Sequence, residues 1–344
     1  MQRKRARLVA IVAAPLLLAI YGSGTARAQI ARDYYKGKSV DIIVGYETGG
    51  GYDVYARLLA RHMGRHLPGQ PGVVVKNMPG AVSRAAGNYI ASVAAKDGMA
   101  IATIARGLPQ DELLGAPGIR FRSADFLWLG SMNNEVSVGV AWQTSSVKTI
   151  EEAMQREMMV GAIADSLVFP TITNAVLGTK FKIITGYRSG GELSLAMERG
   201  ELEGRMGWSW SSIQSTNPDW IRDKRIINLV QFSTSKHADL PNVPLVTELA
   251  KNPEDRALLE LVFARQVMGR PFLAPGGMSK DVNDALRKAF DASMKDPLLL
   301  ADASKVKLEI NSVSGTDVQA LVAQMFRAPA SVVARAKELV PVEK

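Results

Sequence analysis

Apolar, β-branched runs alternate with amphipathic runs in the first third of the chain. Strands are predicted for three of the apolar runs, at 39–46 (SVDIIVGY), 72–78 (GVVVKNM) and 99–105 (MAIATIA). Between the first two, residues 53–67 place Val54, Leu58 and Met63 on one face of a helix. Residues 85–95 predict a second helix. Strands separated by helices at this spacing indicate parallel βαβ units.

The same alternation resumes after a predicted loop at 108–121. Further strands are predicted at 126–132, 137–142, 158–164, 181–187 and 225–232. Thr149 and Ser279 are predicted N-caps of two helices, and Glu152 has the capping-box spacing from Thr149. A last helical stretch at 315–339 is predicted to kink or break at Pro329. The two groups of strands predict a two-lobed α/β fold with an interlobe cleft.

The N-terminus has the features of a secretory signal peptide. Basic residues at 3–7 precede an apolar run from Leu8 to Ile20, and Ala26-Arg27-Ala28 fits the small-x-small rule for cleavage after Ala28. The apolar run is shorter than the ~20 residues of a bilayer crossing, so a retained anchor is the weaker alternative. A periplasmic location is therefore expected.

Composition narrows the function further. Loss of residues 1–28 removes five basic residues and no acid, which lowers the net charge from +9 to +4. This charge mildly favours small organic anions and does not suggest nucleic acid. The absence of cysteine excludes disulfides, thiolate nucleophiles and Cys-based zinc sites. The chain is too long for one core, and we assign 29–131 with 254–344 to lobe 1 and 132–253 to lobe 2.

The stretch VGYETGGGYD, residues 44–53, joins the first strand to the first helix. It is not a phosphate-binding P-loop, because Gly51 and Tyr52 stand where Lys and Ser/Thr are required. No cofactor is predicted. Glycines at a helix N-terminus instead expose backbone N–H groups to a carboxylate. Asp53 either caps this helix or accepts hydrogen bonds from a ligand.

Two later strand–loop–helix junctions share this arrangement. One carries Asp165 and Ser166 before a helix that begins near Pro170, and the other carries Tyr187 and Arg188. The carboxyl ends of strands are where open α/β sheets bind ligands, so the three junctions are predicted to converge. Ordinary turn chemistry is the alternative for each junction taken alone.

Metal and catalytic sites are not predicted. His62 and His66 have a metal-ligand spacing, but Met63 stands where a zinc protease needs Glu, so a solvated basic helix face is favoured. Ser189 lacks the spacing of a nucleophile elbow. Trp208, Trp210 and Trp220 are interpreted as packing residues, with an aromatic wall of the cleft as the alternative.

Several of these segments together resemble the substrate-binding proteins of tripartite tricarboxylate transporters, the Bug family. The first is GYETGGGYDVYARLL (45–59), and it is followed by VVVKNMPGA (73–81) and KDGMAIATIA (96–105). Two later segments are ITGYRSGGELSLAMERGELEG (184–204) and FLAPGGMSKDVNDALRKAFDASMKDP (272–297). Their order and spacing match the family over nearly all of the chain after residue 28.

This resemblance implies a type II periplasmic binding protein fold with a hinge and a ligand in the cleft. It implies a carboxylate or dicarboxylate ligand, permease subunits as partners, and no catalysis; a monomer is expected. Together with the residues themselves, it gives a predicted ligand site of Tyr46, Thr48, Gly49, Gly50, Asp53, Arg106, Asp165, Ser166, Phe169, Tyr187, Arg188 and Ser189.

Some positions depart from the family pattern. Gly45 replaces a usual Pro, AVSRAAG (81–87) replaces a glycine run, and Arg106 stands in a loop that is usually small and polar. Asp165 and the bulky Phe169 alter the second loop. These departures motivate the hypothesis of a bulkier or aromatic acid as ligand. An exported hydrolase on the same fold and a ligand sensor for a signalling receptor are the alternative functions.

Overall fold

The computed structural model describes residues 34–163, 166–187 and 189–340. The predicted signal peptide and its cleavage site lie outside these residues. Within the described ranges, no helix combines the length and apolar composition that a membrane span requires.

The first of two sheets has six strands in the order β11-β4-β10-β3-β1-β2. These strands are β1 (Ser39–Val44), β2 (Gly72–Asn77), β3 (Ala100–Thr103), β4 (Leu127–Ser131), β10 (Pro271–Ala274) and β11 (Val313–Ser314). Strand β1 lies between β2 and β3 and is parallel to both, which confirms the predicted βαβ units. Strand β10 returns late in the chain and is antiparallel to both β3 and β4.

The second sheet has five strands in the order β7-β6-β8-β5-β9. They are β5 (Ser137–Trp142), β6 (Met158–Gly161), β7 (Phe181–Ile184), β8 (Gly204–Ser209) and β9 (Ile226–Phe232). Strand β6 is parallel to β7 and β8, whereas β5 is antiparallel to β8 and β9. We call the parts built around the six-stranded and five-stranded sheets the first and second lobes. The lobe boundaries at 131/132 and 253/254 stay predictions.

Helices connect the strands within each lobe. Those that precede residue 223 are α1 (Gly51–Met63), α2 (Arg84–Ser92), α3 (Leu108–Leu114), α4 (Ile150–Gln155), α5 (Val168–Leu177), α6 (Gly190–Glu198), α7 (Trp210–Thr216) and α8 (Pro218–Arg222). The later ones are α9 (Pro253–Phe263), α10 (Lys280–Met294), α11 (Pro297–Lys305), α12 (Gly315–Met325) and α13 (Ala330–Leu339).

Local sequence signals account for several helix ends. The Thr149 hydroxyl accepts a hydrogen bond from the Glu152 N–H at 3.2 Å, and Ser279 accepts one from the Val282 N–H at 3.4 Å, which confirms both predicted caps. Pro329 separates α12 from α13, as its missing N–H and fixed φ require. These capping and breaking signals act over three or four residues, so the sequence reveals them directly.

The predicted loop at 108–121 is wrong for its first half, which forms α3. Pro109 lies in the first turn of that helix, and Gly115 ends it in a left-handed conformation with φ +79°. Strands β8 and β10 are absent from the prediction, because GRMGWS carries an arginine and two glycines and PFLA has only four residues. A short strand of that kind is stabilised by its sheet neighbours more than by its own pattern.

An apolar cluster links the two lobes. The Phe169 ring of α5 has its centroid 5.0 Å from that of Phe232 in β9 and 5.5 Å from that of Phe263 in α9. All three side chains are buried. The chain passes from the first sheet to the second through residues 132–136. The observed architecture is the predicted two-lobed α/β fold.

Candidate functional site

A cavity of about 650 Å³, which we call the first chamber, lies where loops of both lobes meet. Tyr46 follows β1, Ile163 follows β6 and Tyr187 follows β7, and all three line it. The three predicted junctions therefore converge on one space. A second chamber of about 410 Å³ shares Arg106, Ile163 and Ser209 with the first, so the two form one cleft.

Four arginines of the described part of the chain line the first chamber: Arg84, Arg106, Arg265 and Arg270. Two carboxylate residues, Glu47 and Asp111, also line it. Arg106 Nη1 and Arg270 Nε are shielded from solvent and have no hydrogen-bond partner among the described residues. A buried cationic donor without an acceptor is unfavourable, so an anion in the chamber would be stabilised there.

Arg270 is held in place at the start of β10. Its backbone N–H donates to Ser131 Oγ at 2.9 Å, and its Nη1 donates to the Gly269 carbonyl at 2.7 Å. The guanidinium lies 5.0 Å from the Tyr52 ring centroid and 4.0 Å from the buried Glu135 carboxylate. These contacts orient the side chain before any ligand arrives, which reduces the entropy lost on binding.

Two tyrosines form an aromatic wall of the first chamber. The rings of Tyr46 and Tyr52 are stacked, with centroids 4.4 Å apart and planes 15° from parallel. The Tyr52 hydroxyl accepts a hydrogen bond from the Arg106 N–H at 3.1 Å, which ties this wall to the loop after β3. A flat apolar face beside arginines suits a solute with both an anionic group and an unsaturated or apolar body.

Asp53 is a structural residue of the glycine loop. Its side chain accepts hydrogen bonds from the Gly49 N–H at 2.8 Å, Arg57 Nε at 2.8 Å and Asn77 Nδ2 at 2.9 Å. The residue is 1% exposed and lines neither chamber. The hydrogen bond from Arg57, together with those from Gly49 and Asn77, outweighs burial and lowers the pKa of Asp53 to about 2. The predicted helix cap is not observed, because no side-chain hydrogen bond caps α1. Asp53 instead binds the N–H of Gly49 in the loop before the helix.

Four other predicted ligand residues do not line the cleft. Gly49, with φ +85°, uses its N–H for Asp53, and Gly50 is the N-cap position of α1. The Thr48 hydroxyl donates to Asn77 Oδ1 at 3.2 Å. Ser189 caps α6 by accepting the Glu192 N–H at 3.3 Å. These residues shape the loops that carry Tyr46 and Tyr187.

Among the described residues, two arginines, Arg106 and Arg205, and several serine and threonine residues line the second chamber. Arg205 Nη1 donates to the Gly190 carbonyl at 3.1 Å, and its guanidinium lies 4.4 Å from the Trp208 ring centroid. Ser166 lines this chamber but exchanges two hydrogen bonds of 3.0 Å with the Ile163 backbone. Phe169 also lines it, although its ring belongs to the interlobe cluster. No carboxylate is among the described residues that line this chamber.

Two predicted site residues, Asp165 and Arg188, lie outside the described residues. Of the tryptophans, Trp208 lines the second chamber, while its ring also packs 5.8 Å from that of Trp220. Both proposed roles of the tryptophan cluster therefore apply, packing for Trp220 and cleft lining for Trp208.

His62, on α1, and His66, in the 3-10 turn that follows this helix, bind acidic side chains of the chain itself. His62 Nε2 lies 3.1 Å from Asp302, and His66 Nε2 lies 2.9 Å from Asp296. His62 is buried, so the predicted solvated face is wrong at that position. Among the described residues, no group of three or more acidic or histidine side chains is arranged to hold a metal ion.

Sequence reasoning did not identify Tyr52, Arg84, Arg265 or Arg270 as site residues. Tyr52 lies inside the glycine stretch, and Arg84 lies in the segment that replaces the family's glycine run. Both could therefore have been recognised as candidates from segments that the sequence already singles out. Arg265 and Arg270 stand more than 150 residues further along the chain, and no local motif marks them.

Comparisons with known proteins support the fold. No protein-family model matches the sequence, and no curated protein matches it. A TctC solute-binding protein from Polaromonas, solved without ligand, has 19% sequence identity to this chain and a TM-score of 0.67. The alignment covers 89% of this chain and 99% of that protein. An R. palustris protein solved with adipate is 17% identical, with 89% and 99% covered and a TM-score of 0.63. The periplasmic binding protein BugD is 21% identical, with 90% and 100% covered and a TM-score of 0.59. The chain therefore has the fold of the TctC and Bug solute-binding proteins, which confirms at the level of fold the resemblance seen in its sequence.

Proposed function

We propose that this protein is a periplasmic solute-binding receptor that captures a small organic anion for a tripartite tricarboxylate-type permease. The observation that carries the proposal is a cleft between two lobes whose first chamber is lined by four arginines. The fold adds support, since one protein that shares it was solved with adipate, a dicarboxylate.

The mechanism follows from the position of the cationic groups. Arg84, Arg106 and Arg270 come from the first lobe, whereas Tyr187 and Arg205 come from the second. A solute that contacts both sides stabilises the closed arrangement relative to the open one, and closure excludes water from its charges. The stacked Tyr46 and Tyr52 favour a carboxylic acid with an aromatic or otherwise bulky body.

A thermal-shift screen tests the receptor activity. The probes are succinate, adipate, benzoate and phthalate, with 1,6-hexanediol as an uncharged control. We expect a carboxylate to raise Tm in a concentration-dependent way and hexanediol to leave it unchanged, because a ligand that binds only the native state stabilises it. Phthalate or benzoate is expected to exceed succinate. Stabilisation by the short aliphatic acids alone would refute the aromatic preference, and no stabilisation by any probe would refute the carboxylate receptor.

Export and transport have separate tests. The mature protein released from the periplasm is expected to begin at Gln29, as N-terminal sequencing would reveal. Uptake of the stabilising acid is expected to fall when the gene is deleted. Chemical turnover of that acid by the purified protein would instead support the exported hydrolase.

A further inference from the structure

The turn that precedes α2 has an unusual backbone. Ala81, Val82 and Ser83 have φ values of 45°, 50° and 73°, so three successive residues other than glycine adopt the left-handed conformation. This conformation is unfavourable for L-residues, and most of all for a β-branched one such as Val82. The turn is closed by the Arg84 N–H, which donates to the Ala81 carbonyl at 3.0 Å.

The strained turn ends at a residue of the cleft. Arg84 follows Ser83 directly, lines the first chamber and is 7% exposed. Strained backbone persists only where the surrounding structure holds it, and such sites concentrate around ligands. The direction of the chain into Arg84 is therefore set by the three residues before it.

Ser83 is held against the end of β1. Its hydroxyl donates to the Gly45 carbonyl at 3.0 Å, and the residue is fully buried. A Cβ atom added at Gly45 would lie 1.7 Å from Ser83 Oγ and 2.8 Å from Ser83 Cβ. The Gly45 N–H donates to the Thr103 carbonyl at 3.0 Å, which fixes Gly45 to β3 and prevents it from yielding. Gly45 thus has to lack a side chain for Ser83 to occupy this position.

From these contacts we infer that Gly45 and Ser83 act as a coupled pair that positions Arg84, and that Arg84 is a specificity-determining residue for the anionic solute. The inference rests on the proposed function. A guanidinium offers two parallel N–H donors to a carboxylate, which a lysine ammonium cannot reproduce. Arg84 selects for a carboxylate presented in that geometry.

The role of Arg84 is tested by isothermal titration of adipate and phthalate into the wild type, Arg84→Lys and Arg84→Gln. Arg199→Gln is the matched control, since its side chain is 68% exposed and lies outside both chambers. We expect the affinity for the tighter of the two acids to fall at least tenfold in Arg84→Gln and at least threefold in Arg84→Lys. Arg199→Gln should retain wild-type affinity. Equal affinities in all four proteins would overturn the role of Arg84.

The coupling is tested with Gly45→Ala, Ser83→Gly and the double variant. Gly45→Ala is expected to lower the affinity at least tenfold and to lower Tm, because the new methyl group displaces Ser83. Ser83→Gly alone should change the affinity less than threefold. The double variant should bind better than Gly45→Ala does. If the effects of the two substitutions on affinity and Tm simply add in the double variant, the coupling is disproved. If Gly45→Ala is too unstable to titrate, the comparison of its Tm with that of the double variant still shows whether Ser83→Gly restores stability.

The two proposals fail differently. If the wild type binds neither acid, the carboxylate receptor itself is refuted. If the wild type binds and the Arg84 and Gly45 variants bind equally well, only the present inference is refuted.

Discussion

Asp53 illustrates how a carboxylate at a helix start can serve the loop before it. Its two oxygens receive three donors from the first lobe: the Gly49 amide, the Arg57 side chain and the Asn77 side chain. The glycine that bends the loop, at φ +85°, is the same residue whose N–H binds the carboxylate. The charge of Asp53 therefore stabilises a turn of the first lobe.

Substitution of Asp53 should reduce stability rather than change ligand preference. The pKa of Asp53, about 2, lies below its usual value of 3.8, which corresponds to about 2 kcal/mol of stability for the ionised form. Asp53→Asn should lose roughly this free energy of unfolding at pH 7, as urea denaturation would measure. Because the pKa is lowered in the folded protein, this stabilisation is fully present above pH 4 and is lost as the pH falls toward 2.

The difference in the free energy of unfolding between the wild type and Asp53→Asn should accordingly shrink as the pH falls from 4 to 2. Asp223→Asn is the control, because its partner Arg222 is also 2.8 Å away but both side chains are exposed. An Asp53→Asn protein of unchanged stability and altered solute preference would restore the ligand-selecting interpretation.

At the scale of elements, α1 and α11 are joined by a buried acid. Asp296 is the N-cap of α11 and accepts the Leu298 N–H at 2.8 Å. The same carboxylate binds Arg65 at 3.1 Å and His66 at 2.9 Å, both in the 3-10 turn that directly follows α1. Its side chain is only 6% exposed. One residue thus provides a helix cap and an ion pair between two helices.

Asp296→Ala is expected to cost about 2–3 kcal/mol, because it removes the cap and leaves Arg65 without its buried acceptor. Chemical denaturation gives the loss directly. Asp284→Ala removes a carboxylate from an even shorter pair, with Lys280 at 2.6 Å, but in an exposed position. Its denaturation midpoint should remain that of the wild type. Equal losses in both variants would show that the buried environment of Asp296 adds nothing.

The elements with strong local signals were predictable from the sequence. β5 was predicted at its observed bounds, and the caps at Thr149 and Ser279 and the break at Pro329 were confirmed. The prediction failed at α3 and β10, which are short and depend on neighbours that are distant in sequence. Periodicity over ten residues identifies an element, whereas four residues such as PFLA carry too little pattern.

At the scale of the whole molecule, the cleft depends on residues that only the fold brings together. Tyr46, Arg106 and Tyr187 were predictable because each follows a strand at its carboxyl end. Arg265 and Arg270 reach the same chamber because β10 inserts between β3 and β4, a placement that no local pattern encodes. Two departures from the family pattern, Gly45 and the segment at 81–87, proved to be in contact with one another.

Within the described residues, an ion pair between His237 and Glu309 joins the two lobes. His237, in the loop after β9, has its Nε2 3.5 Å from the Glu309 carboxylate, which precedes β11. The His237 side chain is 13% exposed and that of Glu309 is 28% exposed, and Asp239 and Glu135 add negative charge nearby. The hydrogen bond with Glu309 outweighs burial and raises the pKa of His237 above its usual value of 6.5.

The raised pKa makes the link between the lobes sensitive to pH. Its stabilising contribution is fully present below pH 6.5 and is lost as the pH rises through the raised value. Wild-type Tm should therefore fall by a few °C more than that of His237→Gln or Glu309→Gln as the pH rises from 6 to 8. Calorimetry at closely spaced pH values gives the three profiles. Each variant removes one partner, and the two partners belong to different lobes. If Tm of both variants changes less with pH than that of the wild type, and by the same amount, the ion pair is the source of the pH dependence. If Tm of both variants follows the wild-type dependence on pH, this role is refuted.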